Sequence, residues 1–260
     1  MIQSNTIMDV SLRQQSILQL LEAQGAVRVA ELCERFGVSE MTVRRDLSEL
    51  EQAGLVRRTH GGAVSARGRS FEPPYLVRET TNRHQKERIG RLAASLVQDG
   101  DSVALDVGTT TLEVARALRD KNNLTVITHS LHIAYALSSH PLIRLIVVGG
   151  VLRAGELSLV GHLAERAYRE FHVDKLFLGV GGLSIEAGLT EFNLEDALVK
   201  QAMLQSAKER IVVADASKLE RTAFARVGSL SSVNTLVTST EADPNILKRI
   251  EEAGVRVLTA

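Results

Sequence analysis

The chain has 260 residues, 44% of them apolar and 24% charged, the balance of a water-soluble globular protein, and its length suggests two domains at about 100–200 residues each. Its formal net charge is zero, which excludes a uniformly basic or acidic polypeptide and leaves any nucleic-acid contact to local clusters of charge. Cys33 is the one cysteine, so no internal disulfide forms, as suits a reducing cytosol, and its place on the apolar side of a helix reads as a small buried hydrophobe. The first fifteen residues lack the basic and apolar regions of a signal peptide, and no window approaches the ~18 apolar residues of a membrane span. A cytoplasmic protein is expected.

Ile17, Leu18, Leu20 and Leu21 predict an amphipathic helix broken at Gly25. Val29 to Phe36 predicts a second helix, ended by Gly37. Ser39 is placed to cap a third by accepting a bond from a free N–H of its first turn. Val43, Leu47 and Leu50 make the inward stripe of that helix, leaving Thr42, Arg44, Arg45, Ser48 and Glu49 off it; Gly54 ends it. Leu55 to Val64, with Gly61-Gly62, suits a tight β-hairpin. This order of elements is that of a winged helix-turn-helix.

Residues 52–71 carry Arg57, Arg58, His60, Arg67 and Arg69 and no acid, a cationic strip suited to phosphates. The third helix is the candidate for the major groove, with Ser39, Met41, Thr42, Arg44 and Arg45 the side chains expected to reach DNA, and Arg57, Arg58 and His60 adding wing contacts. Which of Arg44 and Arg45 forks to a guanine and which meets a phosphate stays open. VSEMTVRRDLSELEQAGLVRRTHGGA resembles the N-terminal signature of the DeoR family of bacterial transcriptional regulators, above all in Arg44-Arg45-Asp46-Leu47 and His60-Gly61-Gly62-Ala63. The resemblance implies a winged-helix domain that binds operator DNA, usually as a repressor of sugar-utilisation genes.

Residues 67–80 read as a linker because of Pro73-Pro74, dividing the chain into a reader at 1–66 and a second domain at 81–260. Ile89, Leu92, Ala93, Leu96 and Val97 predict a helix. Short apolar runs at 102–107, 124–127, 145–148, 175–180, 210–214, 235–239 and 255–258 predict strands, with helices at 111–119, 131–139, 163–171, 194–208 and 244–253. That alternation predicts an α/β fold with a mostly parallel sheet covered on both faces.

Asp106-Val107-Gly108-Thr109-Thr110-Thr111 follows a strand and opens a helix, where backbone N–H groups favour an anion. A phosphate fits there, although a Thr-rich cap that only starts the helix reads equally well. Loops after successive parallel strands gather at one edge, which brings Thr128-His129-Ser130, Gly149-Gly150 with Arg153, Gly179 with Gly181 and Gly182, and Asp215 with Ser217 and Lys218 toward a polar, anionic metabolite. DVGTTT, VVGG, GVGGLS with GLTEFN, and DASK match the DeoR-type sensor domain in order. That domain resembles ribose-5-phosphate isomerase in fold and senses phosphorylated sugars. The resemblance implies phosphate binding at Gly108, Thr109, Thr110 and Thr111, ligand sensing at Asp106, Ser130 and Lys218, and a matching basic residue at Lys200. His129 stands where many members carry Asn and is given no special role. The competing reading is a sugar-phosphate isomerase-like enzyme, with Asp106, Glu191, Glu195 and Asp215 as the carboxylates near the pocket and Glu195 also a possible partner of Lys200. The loop Gly179 to Ser184 holds no acid, so no catalytic residue is expected. No metal site or cofactor is expected either; a homodimer or homotetramer matches a two-half-site operator.

Overall fold

The computed structural model describes residues 13, 14, 16–18, 20, 21, 26–52, 55–65 and 68–260; the expectations resting on Gly25, Gly54 and Arg67 fall outside them. The chain divides into two compact units, Met1–Pro73 and Pro74–Ala260.

In the first unit the described residues between 13 and 21 are helical and bury Ile17, Leu18 and Leu21. Strand β1 (Ala26–Arg28), which the apolar spacing does not announce, leads into the helix Val29–Phe36. Gly37 ends that helix in the left-handed conformation (φ 63°), its N–H bonded to the Cys33 carbonyl at 2.9 Å. The helix Glu40–Gln52 follows, then β2 (Val56–Thr59) and β3 (Gly62–Ser65), paired antiparallel in the order β1-β3-β2. Leu32, Val43, Leu47 and Leu50 close the core with the first helix. Cys33 is half-buried rather than fully enclosed.

Pairing Thr59 with Gly62 makes His60-Gly61 the two-residue turn, one position before the Gly-Gly pair that sequence suggested. Gly62 has a different cause. It pairs with Arg28 on β1, and a Cβ there would lie on the Val27 carbonyl, so only glycine lets β1 close the sheet.

The second unit is built on seven strands, all parallel, in the order β15-β14-β12-β9-β4-β5-β6. They are β4 (Ser102–Leu105), β5 (Leu124–Thr128), β6 (Ile143–Val147), β9 (Val173–Leu178), β12 (Ala207–Val213), β14 (Thr235–Thr238) and β15 (Arg256–Thr259). Side chains alternate between two cores. Val103, Leu105, Val126, Phe177, Ile211 and Val213 meet the helices Arg83–Ser95, Thr109–Ala117 and Leu131–Leu137. Ala104, Ile127, Leu176, Leu178 and Val212 meet the helices His162–Arg169, Leu194–Ser206 and Pro244–Glu252. A strand apolar on both sides is what a parallel sheet between two helical layers requires.

Two small antiparallel sheets, absent from the sequence reading, sit beside it: the hairpin β7 (Val151–Arg153) and β8 (Ser158–Val160), and the trio β10 (Gly182–Ser184), β11 (Gly188–Glu191) and β13 (Ala225–Gly228). The segment 67–80 is not linker throughout, because Tyr75–Thr80 forms a helix of the second unit. The chain leaves β4 toward β5 and β6, then returns to β9 on the other side and continues outward. The strand order therefore reverses between β4 and β9, and the carboxyl ends of those two strands flank the crevice where open α/β sheets bind ligands.

Candidate functional site

On the reader helix Ser39 takes the capping position. Its Oγ accepts from the Thr42 N–H at 3.3 Å and shares a 2.9 Å bond with the Thr42 hydroxyl. Met41 is 81% exposed. Arg44 and Arg45 are also exposed, and each pairs one turn away, with Glu40 and Glu49, both at 3.1 Å. Such exposed pairs contribute only about 0.3–0.5 kcal/mol, so they break readily. Arg57, Arg58 and His60 are exposed on the wing.

The opposite face of this helix carries a residue whose role the sequence hides. Asp46 lies on the stripe of Val43, Leu47 and Leu50, buried, and takes a fork from Arg13 (Nε at 2.5 Å, Nη2 at 3.1 Å). It ties the first helix to the reader helix. An acid at i+3 from Val43, inside an apolar stripe, is the signal that betrays it.

At the sheet edge, Asp106 follows β4 and spans the switch point. Its N–H donates to the Phe177 carbonyl at 3.1 Å and its Oδ2 accepts from the Gly179 N–H at 2.9 Å. Gly108 (φ 141°) then turns the chain into the helix Thr109–Ala117. The first-turn N–H groups of that helix have no partner within it. Thr109 and Thr110 are nearly buried, and the Thr111 hydroxyl folds back onto the Gly108 carbonyl at 2.9 Å.

Beneath this turn lies a buried polar network. The Lys200 ammonium reaches Asp106 Oδ2, the Gly179 carbonyl at 3.0 Å and Glu191 Oε2 at 3.2 Å. Two of its three donors are thus held in hydrogen bonds, and Glu191 adds an ion pair. Burial pushes the Asp106 carboxyl up to about 6 although Lys200 pulls it back. Burial also works against the Lys200 charge, but Asp106 and Glu191 outweigh it and hold the ammonium above the ordinary lysine range. His129, fully buried, shares a 3.0 Å bond between Nδ1 and the Tyr168 hydroxyl. Its Nε2 lies 3.7 Å from Asp106 Oδ1, and neither of those atoms has a hydrogen-bond partner. Burial, helped by Lys200, pushes the imidazole down to about 3, so it is neutral at pH 7.

The other expected residues fall around the same edge with distinct local partners. Ser130 caps the helix Leu131–Leu137 by accepting from the Ile133 N–H at 3.3 Å. Arg153 on β7 binds Asp196 at 2.5 Å, and Ser158 joins the same carboxylate at 3.2 Å, which pins the hairpin to the helix Leu194–Ser206. Asp215 caps the short 3-10 turn Ala216–Lys218. The Lys218 ammonium stands 5.6 Å from the Phe192 ring centre, with Arg221 at 5.3 Å from the same ring. Gly181 is packed so closely that a Cβ would come within 2.9 Å of Glu191 and 3.0 Å of Phe192. Glu195, offered as a partner of Lys200, is exposed; the partners are Asp106 and Glu191 instead.

The family model described as the DeoR-like helix-turn-helix domain matches residues 13–68, and that of the DeoR C terminal sensor domain matches residues 81–240. The chain belongs to the DeoR family. Its relatives span almost its whole length. It is 38% identical over 248 residues to the uncharacterized HTH-type transcriptional regulator YulB of Bacillus subtilis, covering 95% of this chain and 96% of that protein. It is 39% identical over 227 residues to the transcriptional repressor AccR of Agrobacterium fabrum, covering 87% and 88%. It is 32% identical over 245 residues to the glycerol-3-phosphate regulon repressor of Escherichia coli, covering 94% and 97%. Among solved structures, ribose-5-phosphate isomerase A of Methanocaldococcus jannaschii superposes with a TM-score of 0.40 at 20% identity, over 54% of this chain and 55% of that one.

As a DeoR-family member the protein is a DNA-binding regulator of transcription, and the isomerase reading is set aside because the named relatives regulate genes. Sequence reasoning missed the DeoR protein's buried network. Tyr168 lies far from Asp106 along the chain with nothing in its local pattern to mark it, whereas Glu191 was expected near the pocket but not as a partner of Lys200.

Proposed function

We propose that this DeoR-family regulator represses carbohydrate-utilisation genes in the cytoplasm as a symmetric homodimer or homotetramer on a two-half-site operator. A phosphorylated sugar bound at the carboxyl edge of the seven-stranded sheet releases it. The turn Gly108–Thr111 at the strand-order reversal carries this reading: its free N–H groups and hydroxyls suit a phosphate, and Lys218 stands across the same edge. The name of the Escherichia coli relative, a glycerol-3-phosphate regulon repressor, supports an effector of this class. Among the described residues no helix is long and apolar enough to cross a membrane.

In this reading Ser39, Met41, Thr42, Arg44 and Arg45 enter the major groove, and Arg57, Arg58 and His60 grip the flanking backbone. Effector and operator are linked by a coupling energy of about 1–3 kcal/mol that acts equally in both directions. A thermal-shift screen across phosphorylated pentoses, hexoses and glycerol 3-phosphate tests it. One of these raises the melting temperature of the parent, and Lys218→Ala abolishes the rise. A parent indifferent to the whole panel overturns the effector assignment.

A further inference from the structure

Two lysines of the sensor unit are almost wholly enclosed, and among the described residues only one of them touches a carboxylate. Lys200 (2% exposed) touches two carboxylates and a carbonyl. Among the described residues Lys86 (4% exposed) donates to a single carbonyl, that of Arg78, at 2.5 Å, and no carboxylate lies within ion-pair distance of it. A buried ammonium with two donors left over is costly unless something anionic completes it.

The topology puts this ammonium beside the phosphate-type turn. The helix Arg83–Ser95 runs down to the start of β4, so its first turn, which holds Lys86, lies at the carboxyl edge of the sheet. It packs on the helix Thr109–Ala117, where a Cβ on Gly90 would meet the Glu113 backbone at 2.6 Å. One turn back along each helix are Lys86 and Thr109. The stretch before Lys86 crosses the same edge. The Tyr75 ring stacks on His132 after β5 at 4.1 Å, Arg78 pairs with Glu156 of the hairpin, and Asn82 donates to Asp215 after β12 at 3.1 Å. The β4 turn lies between those anchors in the sheet order. Within this stretch the Tyr75 hydroxyl is buried and has no hydrogen-bond partner. Asp215 and Lys218 act on Lys86 through space, and burial with the second cation brings its ammonium down to about 8.

We propose that residues 75–86 form one wall of the effector site and that Lys86 holds the phosphate from the side opposite Lys218. This rests on the effector reading above and adds to it. The residues that immediately follow the unit boundary then belong to the ligand site, so effector binding stiffens the chain where it leaves the DNA reader.

Calorimetric titration of the full-length protein with inorganic phosphate tests the proposal. Lys86→Met is expected to weaken phosphate about tenfold or more, and Lys86→Arg to restore most of the affinity. Parent-like affinity in Lys86→Met, together with loss in Lys218→Ala, overturns the role of Lys86 and leaves the effector site standing. Phosphate binding untouched by either change, or none by the parent, removes both. Should Lys86→Met fail to fold, amide hydrogen exchange on the unaltered protein decides. Slower exchange across 75–86 on adding phosphate is expected, and protection confined to 108–111 and 215–218 refutes the wall.

Discussion

Arg44 and Arg45 stand in water on the reader helix, each tied to a glutamate one turn away, whereas Lys200 and Asp106 lie inside the sheet edge with almost no exposed surface. Both regions are rich in charge, and the surrounding dielectric gives the charge opposite uses. In water an ion pair is weak and exchangeable, so the pairs of Arg44 with Glu40 and Arg45 with Glu49 hold these side chains only loosely. Out of water an unpaired charge is expensive, so the network of Lys200, Asp106 and Glu191 is a structural unit whose members depend on one another.

The sharpest way to break this contrast is Lys200→Met. It strands two carboxylates in the interior, and a loss of roughly 3–5 kcal/mol is expected, lowering the calorimetric melting temperature of the sensor unit by about 10 °C. A variant as stable as the parent would show that the cluster is solvated. Asp46→Ala makes the same point within the reader unit. With the Arg13 fork gone, about 3 kcal/mol of that unit's stability should vanish in a denaturant titration, while the sensor unit unfolds as before.

Arg44→Ala probes the wet side. Operator affinity should fall by about 1–3 kcal/mol in a gel-shift titration, with stability changed by less than about 0.5 kcal/mol. A large loss of stability would place Arg44 in the packing rather than at the DNA.

The effect smallest at neutral pH concerns His129. The folded His129 resists protonation down to about pH 3, whereas in the unfolded chain it takes up a proton near 6.5. Its contribution is therefore complete above about pH 6.5 and is lost progressively as the pH falls toward 3. Asp106 runs the other way: its folded value of about 6 lies above the unfolded 3.8, so its contribution declines as the pH rises between them. His129→Asn removes only the first. The stability difference, variant minus parent, should become more favourable as the pH drops below about 6.5, and a difference independent of pH would mean that the imidazole is not shielded.

Much of the architecture could be read along the chain. Val43, Leu47 and Leu50 declare the buried face of the reader helix, Ser39 its start and Gly37 the end of the helix before it. The seven apolar runs declare the parallel strands, because a strand covered on both faces has no polar side to disguise it. The pieces that escaped are short or distant. β1 is three residues long and is revealed only by the absence of a Cβ at Gly62. Of the candidate site, Gly108 and the threonines were legible because a strand, a glycine and a helix start are neighbours in sequence.

What local order determines, then, is which residues are helical or extended and which of their faces avoids water, since both follow from side chains a few positions apart. Which charges end up together was settled only by the fold. Lys200 finds Asp106, 94 residues earlier in the chain, and Lys86 finds no carboxylate within ion-pair reach among the described residues. That difference depends on how far apart chain-distant atoms come to rest once water has been removed from between them.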